Sequence, residues 1–270
     1  MTALNTSRSP LRWAGSKRKL LPTLMQLAPP KFKRYIEPFC GSLCLFAALK
    51  PSSALVGDIN AELVNFYRMM AWRPRAIAIA AHALNDDEAT YYELRSLDPC
   101  TLGAQERAVR FLYLNRFCFN GVYRTNRQGQ FNVPRGKHMG GIPTVQELVN
   151  FGRLVRKATV YQCDFQELLD AAKQGDFIYL DPPYAGRGVR DRGEYGVGSF
   201  KENDLDRLAE SLHRAHARGV KVLLSYADLP EIRDRFGNWN VTTLDVKRNV
   251  AGFASARVSV SEIILRNYGA

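Results

Sequence analysis

Apolar residues recur along the chain in two alternating rhythms. Short uninterrupted runs bounded by Gly or Pro read as buried strands, and apolar positions spaced three or four apart read as helices. The strand-like runs are Tyr35-Ile36, Ala54-Leu55-Val56, residues 158 to 161, 177 to 180 and 220 to 225. Helical spacing covers 43 to 49, 61 to 70, 106 to 114, 166 to 173 and 203 to 218. In the last of these Leu205, Leu208, Leu212 and Ala215 share one face, and Gly219 ends it. The alternation predicts an α/β fold with a parallel sheet. It breaks off near residue 60 and resumes near 158. Within the gap, residues 119 to 137 alternate side-chain types around Gln128-Gly129, as a long hairpin would. The C-terminal stretch, 246 to 268, predicts a loop and then a strand pair ending at Ile263-Ile264-Leu265. No internal repeat or low-complexity linker interrupts the chain.

The run Phe177-Ile178-Tyr179-Leu180 leads straight into Asp181-Pro182-Pro183-Tyr184. Ligands of open α/β sheets collect at the carboxyl ends of strands, so Asp181 is predicted to stand on the rim of a crevice. The two prolines fix φ and remove two backbone donors, leaving a rigid corner rich in acceptors. A carboxylate, a backbone carbonyl and the face of Tyr184 held together suit a flat ligand carrying an amino group. A plain Asp-Pro turn, with Tyr184 as core, is the alternative reading.

Two earlier stretches bear on this. In residues 35 to 49 a strand, the turn Glu37-Pro38-Phe39-Cys40-Gly41-Ser42 and a buried helix make half of a nucleotide-binding unit. Asp58 follows Gly41 by 17 residues, at the end of the next strand, where an acid can accept from ribose hydroxyls. It could equally cap the following helix. Residues 10 to 19, PLRWAGSKRK, form a basic loop entering a helix.

Length and charge narrow the partners. A chain of 270 residues with 46% hydrophobic content supports one sizeable α/β domain or one domain with a large insertion. Its net charge of +12 favours a polyanion. That charge is concentrated: residues 107 to 146 hold seven Lys or Arg and no Asp or Glu. There Phe119, Tyr123 and Phe131 interleave with Asn120, Asn126 and Asn132 and with Arg124, Arg127, Arg135 and Lys137. Aromatic and amide wedges can enter a base stack while Arg reads guanine or grips phosphate. An exposed basic hairpin without a nucleic-acid role is the other reading. Five cysteines, an odd count without a Cys-x-x-Cys pair, and four distant histidines predict reduced thiols and no metal. No charged-then-apolar leader and no long apolar run appear, which predicts a cytoplasmic protein without membrane segments.

With DPPY set beside EPFCG and RWAGSK, the chain resembles the Dam-type, D12-class, α-group adenine-specific DNA methyltransferases from Trp13 to Tyr268. The resemblance implies a Rossmann-like, seven-stranded methyltransferase sheet. Residues 1–59 and 159–270 would form the catalytic domain, interrupted by a mainly helical target-recognition domain, 60–158, containing the hairpin. It implies S-adenosylmethionine as cofactor, held by Trp13, Ala14, Gly15 and Lys17 at its methionine end and by Glu37, Pro38, Phe39 and Gly41 in the turn. Asp58 would meet the ribose, Ile59 the adenine edge, and Asp164 and Phe165 the adenine ring. Asp181, Pro182, Pro183 and Tyr184 would be the catalytic corner.

The segment LNRFCFNGVYRTNRQGQFNVPRG is similar to the family's recognition hairpin. Arg124 would contact guanine, Phe119 and Asn120 would wedge into the duplex, and Asn126, Asn132, Pro134, Lys137 and His138 would complete the DNA contacts. The implied activity is transfer of methyl to the N6 of a flipped adenine in double-stranded DNA, with GATC as the site, by a monomer or weak dimer of bacterial or phage origin. Val122 and His138 depart from the GATC pattern, Leu43 replaces the usual second glycine of the cofactor turn, and Tyr226 follows Ser225 where Asn is common. Alternatives are a catalytically impaired DNA-binding homologue, or methylation of RNA or a protein amide.

Overall fold

The computed structural model describes residues 8–126, 128–137, 140–184, 200–244 and 261–269. Arg127, His138, the Gly- and Arg-rich loop 185 to 198, and Lys247, Arg248 and Asn249 lie outside the described residues. Strands β1 (Tyr35–Glu37), β2 (Ala54–Asp58), β3 (Ala158–Gln162), β4 (Phe177–Leu180), β5 (Lys221–Ala227), β6 (Asn240–Leu244) and β7 (Glu262–Arg266) form one sheet. Their order is β3-β2-β1-β4-β5-β7-β6. The first five are parallel, and β7 runs antiparallel to both β5 and β6. β1 lies between β2 and β4, so the winding reverses at its carboxyl end. A crevice opens at such a switch point.

The strands carry apolar residues on both faces because helices cover both. Tyr35, Phe177 and Tyr179 enter one hydrophobic cluster, while Ile36, Ile178 and Leu180 enter another. That split follows the two-residue period of the strand. Ten helices are described: α1 (Leu21–Leu27), α2 (Cys44–Leu49), α3 (Ala61–Trp72), α4 (Pro74–His82), α5 (Glu88–Ser96), α6 (Ala104–Phe117), α7 (Val145–Val155), α8 (Phe165–Asp170), α9 (Glu202–Ala217) and α10 (Pro230–Arg235). The stripe expected on the helix after residue 203 is buried along α9. α3, α4 and α7 send Phe66, Ile77 and Phe151 into the same cluster as Tyr35 and Val56.

Three features differ from the sequence expectation. Residues 60 to 158 hold more helix than the pattern showed, since α4 buries small residues such as Ala78 and Ala81, and α6 buries Arg110 and Asn115 among its apolar positions. Arg110 reaches the carbonyl of Leu94 at 2.7 Å, which satisfies the charge but blurs the amphipathic pattern. The C-terminal strand pair uses β6, which starts at Asn240, ahead of the predicted stretch. Finally, Tyr123 and Phe131 are not wedges. Phe131 is buried in a third cluster with Tyr91 and Tyr113, and Tyr123 packs against it. The hairpin is present, bridged at Thr125–Phe131 and Cys118–Arg135. It turns through hydrogen bonds from Asn126 N to Gln130 O (2.9 Å) and from Gly129 N to Asn126 O (3.0 Å).

Candidate active site

At the carboxyl ends of β1, β2 and β4 lies a cleft of about 240 Å³, lined by residues 13–17, 37–42, 58–60, 163–165 and 181–184, with Tyr123, Tyr179 and Phe200. The structure thus brings every cofactor-side residue predicted from sequence to one wall system with the Asp-Pro-Pro-Tyr corner. The corner is an open rim, not a closed turn: Asp181, Pro183 and Tyr184 stay partly accessible.

Lys17 ties the N-terminal loop to this corner. Its Nζ lies 2.9 Å from Asp181 Oδ1 and 3.7 Å from Glu262 Oε1. It donates to the carbonyl of Gly15 and to the Tyr184 hydroxyl, both at 3.4 Å. Tyr184 in turn donates to Glu262 Oε1 at 3.3 Å. Burial alone would drive the ammonium toward neutrality. The carboxylate of Asp181, with the Tyr184 hydroxyl and Glu262 beside it, outweighs this and holds the Lys17 pKa above its ordinary value. Glu262 escaped the sequence reading as a site neighbour, whereas Tyr226 was singled out there as a departure from the family pattern. Glu262 is 3% exposed and opens β7, and its only sequence signal is an acid beside an apolar strand. Tyr226 packs edge-on to Tyr184 with ring centroids 4.8 Å apart.

The cofactor-type turn is compact. Gly41 has φ +40°, and a Cβ there would approach the Trp13 indole Nε1 to 3.0 Å. Leu43, where the family resemblance leads one to expect glycine, adopts φ +53° and is fully buried. A left-handed non-glycine residue costs about 1–2 kcal/mol. Its side chain enters the core and is absent from the cleft lining. Glu37 is buried and accepts from Tyr35 Oη at 2.8 Å. Burial raises its pKa well above the usual range, the Tyr35 hydrogen bond opposes this, and Asp181 and Asp58 add to it.

Asp58 is not the cap of α3. Asn60 performs that role, accepting from the N–H groups of Glu62 and Leu63, each at 3.1 Å. Asp58 instead lines the cleft, accepting from Asn60 N (3.0 Å) and Gly41 N (3.3 Å). Enclosure pushes its carboxyl up to about 6, against these hydrogen bonds. Asp164 caps α8 through Gln166 N at 3.0 Å and pairs with Arg207 at 2.8 Å. Phe165 packs on Phe39 at 5.3 Å, with the Arg207 guanidinium 4.9 Å from its ring. Ile59 is 57% exposed.

On the hairpin, Phe119 is 48% exposed and Asn120 stands beside it with φ +54°. Arg124 Nε donates to Asn132 Oδ1 at 2.7 Å, so the amide aims the guanidinium. Asn126 Oδ1 accepts from Gln128 N and Gln130 N, both at 3.0 Å, which makes it a builder of the turn. Pro134 and Lys137 are exposed. Arg135 pairs with Asp86 at 2.5 Å. Among the described residues no group of His, Cys, Asp or Glu could hold a metal, and no helix is long and apolar enough to cross a membrane.

The model of the D12 class N6 adenine-specific DNA methyltransferase family matches residues 13–250. A type II methyltransferase of Lactococcus lactis subsp. cremoris is 32% identical over 96% of this chain and 94% of its own length. A DNA adenine methylase of Vibrio cholerae is 30% identical over 97% of this chain and 96% of its own. The DNA N-6-adenine-methyltransferase of Escherichia phage P1 is 33% identical over 92% of this chain and 34% of its own length. A match that runs from the Trp13 loop through the hairpin and past the Asp181 corner leaves one assignment: the chain belongs to the D12 class of N6 adenine-specific DNA methyltransferases.

Proposed function

We propose that this chain transfers methyl from S-adenosylmethionine to the exocyclic nitrogen of an adenine flipped out of duplex DNA, within GATC. One observation carries the reading: residues of the Trp13 loop, the Glu37–Gly41 turn, Asp58 and the Asp181 corner line a single cleft. Its chemistry fits the cofactor. Gly41 leaves room beside Trp13 that a Cβ would fill, Asp58 offers acceptors to hydroxyls, and Phe39, Phe165 and Ile59 offer apolar surface to a flat ring. Bound there, S-adenosylmethionine supplies an electrophilic methyl group.

The remaining work falls to this chain's residues. An adenine amino lone pair is delocalised into its ring and is a poor nucleophile. Hydrogen bonds from that amino group to the Asp181 carboxylate and the Pro182 carbonyl favour a pyramidal nitrogen with its lone pair directed outward. Asp181, oriented by Lys17, then stabilises the positive charge that develops on the nitrogen, and the surplus proton leaves afterwards. Flipping costs a few kcal/mol. Stacking on Tyr184 returns about 1–3 kcal/mol, with Phe119 and Asn120 filling the gap in the duplex. Arg124, held by Asn132, supplies about 1–3 kcal/mol of discrimination at guanine. Residues 60–158 serve in this reading as the recognition unit. An inactive DNA-binding homologue loses its main support, because Leu43 lies in the core and away from the cleft.

The test is incorporation of labelled methyl from S-adenosylmethionine into duplexes of defined sequence, followed by identification of the modified nucleoside. Methyl-adenine that disappears in Asp181→Ala, with DNA binding retained, is expected. Intact DNA binding without incorporation into any duplex would refute the activity. The site is tested separately, by protection of DNA from expressing cells against a nuclease blocked at methylated GATC.

A further inference from the structure

The loop that walls the cleft is held in part from the inserted segment. Asn115 lies in α6 and is 4% exposed. Its Oδ1 accepts from Arg12 N at 2.9 Å, and its Nδ2 donates to Arg12 O at 2.6 Å. One side-chain amide therefore satisfies both backbone groups of the residue before Trp13. Loss of a buried amide so engaged leaves both backbone groups of Arg12 without this partner, and the pair of bonds fixes the loop's path. Gly121, at φ +66°, presses on the same residue: a Cβ there would lie 2.4 Å from Arg12 Cβ and 2.9 Å from its carbonyl. Trp13 then stands between the Gly41 turn and Tyr123, whose ring stacks at 6.2 Å and 20°. Tyr123 immediately precedes Arg124 on the hairpin.

Accepting the cofactor cleft described above, we propose that Asn115 and Tyr123 are positioning residues that couple the recognition hairpin to the cofactor cleft through Arg12 and Trp13. Neither belongs to the Asp181 corner: Asn115 is absent from the cleft lining, and Tyr123 contributes only its ring behind Trp13 to the wall. They set the position of the wall on which the cofactor's methionine end rests, and any DNA-induced ordering of the hairpin reaches that wall through the Tyr123–Trp13 stack. Coupling of two binding events is reciprocal, so duplex that tightens cofactor binding must itself be bound more tightly with cofactor present.

Calorimetry on the full chain measures the dissociation constant of S-adenosylmethionine alone and with a saturating duplex that the incorporation assay shows to be methylated. The wild type is expected to bind cofactor several-fold more tightly with duplex. Asn115→Ala and Tyr123→Leu are expected to bind cofactor about tenfold more weakly without DNA, as loss of paired buried hydrogen bonds or a ring stack implies. Their enhancement by duplex should fall toward one, while their affinity for duplex alone changes less than about twofold. Should Asn115→Ala fail to fold, Tyr123→Leu, at a half-buried site, carries the test alone. Folded variants with wild-type cofactor affinity and wild-type enhancement overturn the coupling and leave the activity reading intact. A wild-type chain that binds no S-adenosylmethionine overturns both.

Discussion

With Asp58 at the cofactor ribose, as proposed above, cofactor binding should depend on pH. Its carboxyl is raised to about 6, first by burial, with the N–H groups of Asn60 and Gly41 opposing. In the unfolded chain it ionises near its ordinary value of about 3.9. Between those two values the folded state keeps a proton that the unfolded chain has released. Stability from this group is therefore undiminished below about pH 4 and falls as pH rises through about 6. The penalty reaches at most about 3 kcal/mol, less for the part of the carboxyl that faces solvent in the cleft. In the proposed site ribose hydroxyls would donate to the ionised form more strongly than to the neutral one, so binding S-adenosylmethionine would favour loss of that proton. At about pH 5 only about a tenth of the sites are ionised, and the dissociation constant should be about tenfold larger than at neutrality. Calorimetry from about pH 5 to 8 reads this directly, and Asp58→Asn should bind weakly at every pH with the slope removed. A wild-type constant that stays flat over this range, or an Asn variant that retains the slope, refutes the reasoning.

Three further outcomes follow from the geometry. Leu43→Ala and Leu43→Gly both lose a buried side chain, about 2–5 kcal/mol, but glycine also removes the left-handed strain. The glycine variant should melt above the alanine variant by the equivalent of about 1 kcal/mol, and equal or reversed melting temperatures would contradict the strain. Asn60→Ala should cost about 1 kcal/mol in urea unfolding through loss of the α3 cap, with the Asp58 pH dependence kept. Arg124→Ala should lower methylation of the preferred site about 10- to 100-fold while methylation of a site altered at the contacted guanine changes little; Asn132→Ala should move partway in the same direction.

Much of the architecture was legible because strands and helices of this fold are written in short-range patterns. Central β4 is four buried residues in a row, and α9 shows its stripe by spacing alone. The segment from 60 to 158 was harder for a physical reason. Its helices bury Arg110, Asn115 and small alanines, whose burial depends on carbonyls and surfaces supplied by other elements. Tyr123 and Phe131 looked like wedges for the same reason, since an aromatic in a polar hairpin reads identically whether it faces solvent or Trp13 and Phe111.

The division runs through the corner itself. Two prolines after a buried run determine locally that Asp181 is held in a stiff, donor-poor rim, because φ restriction and a missing N–H act within a residue or two. The same holds for the turn before α2 and the Asx turn of the hairpin. That Lys17 and Glu262 flank Asp181, and that Asn115 grips Arg12, were decided only by tertiary structure. Positions 181 and 262 meet because β4, β5 and β7 lie side by side, with Lys17 reaching both from the turn before α1, and strand order is a property of the packed sheet that no local spacing encodes.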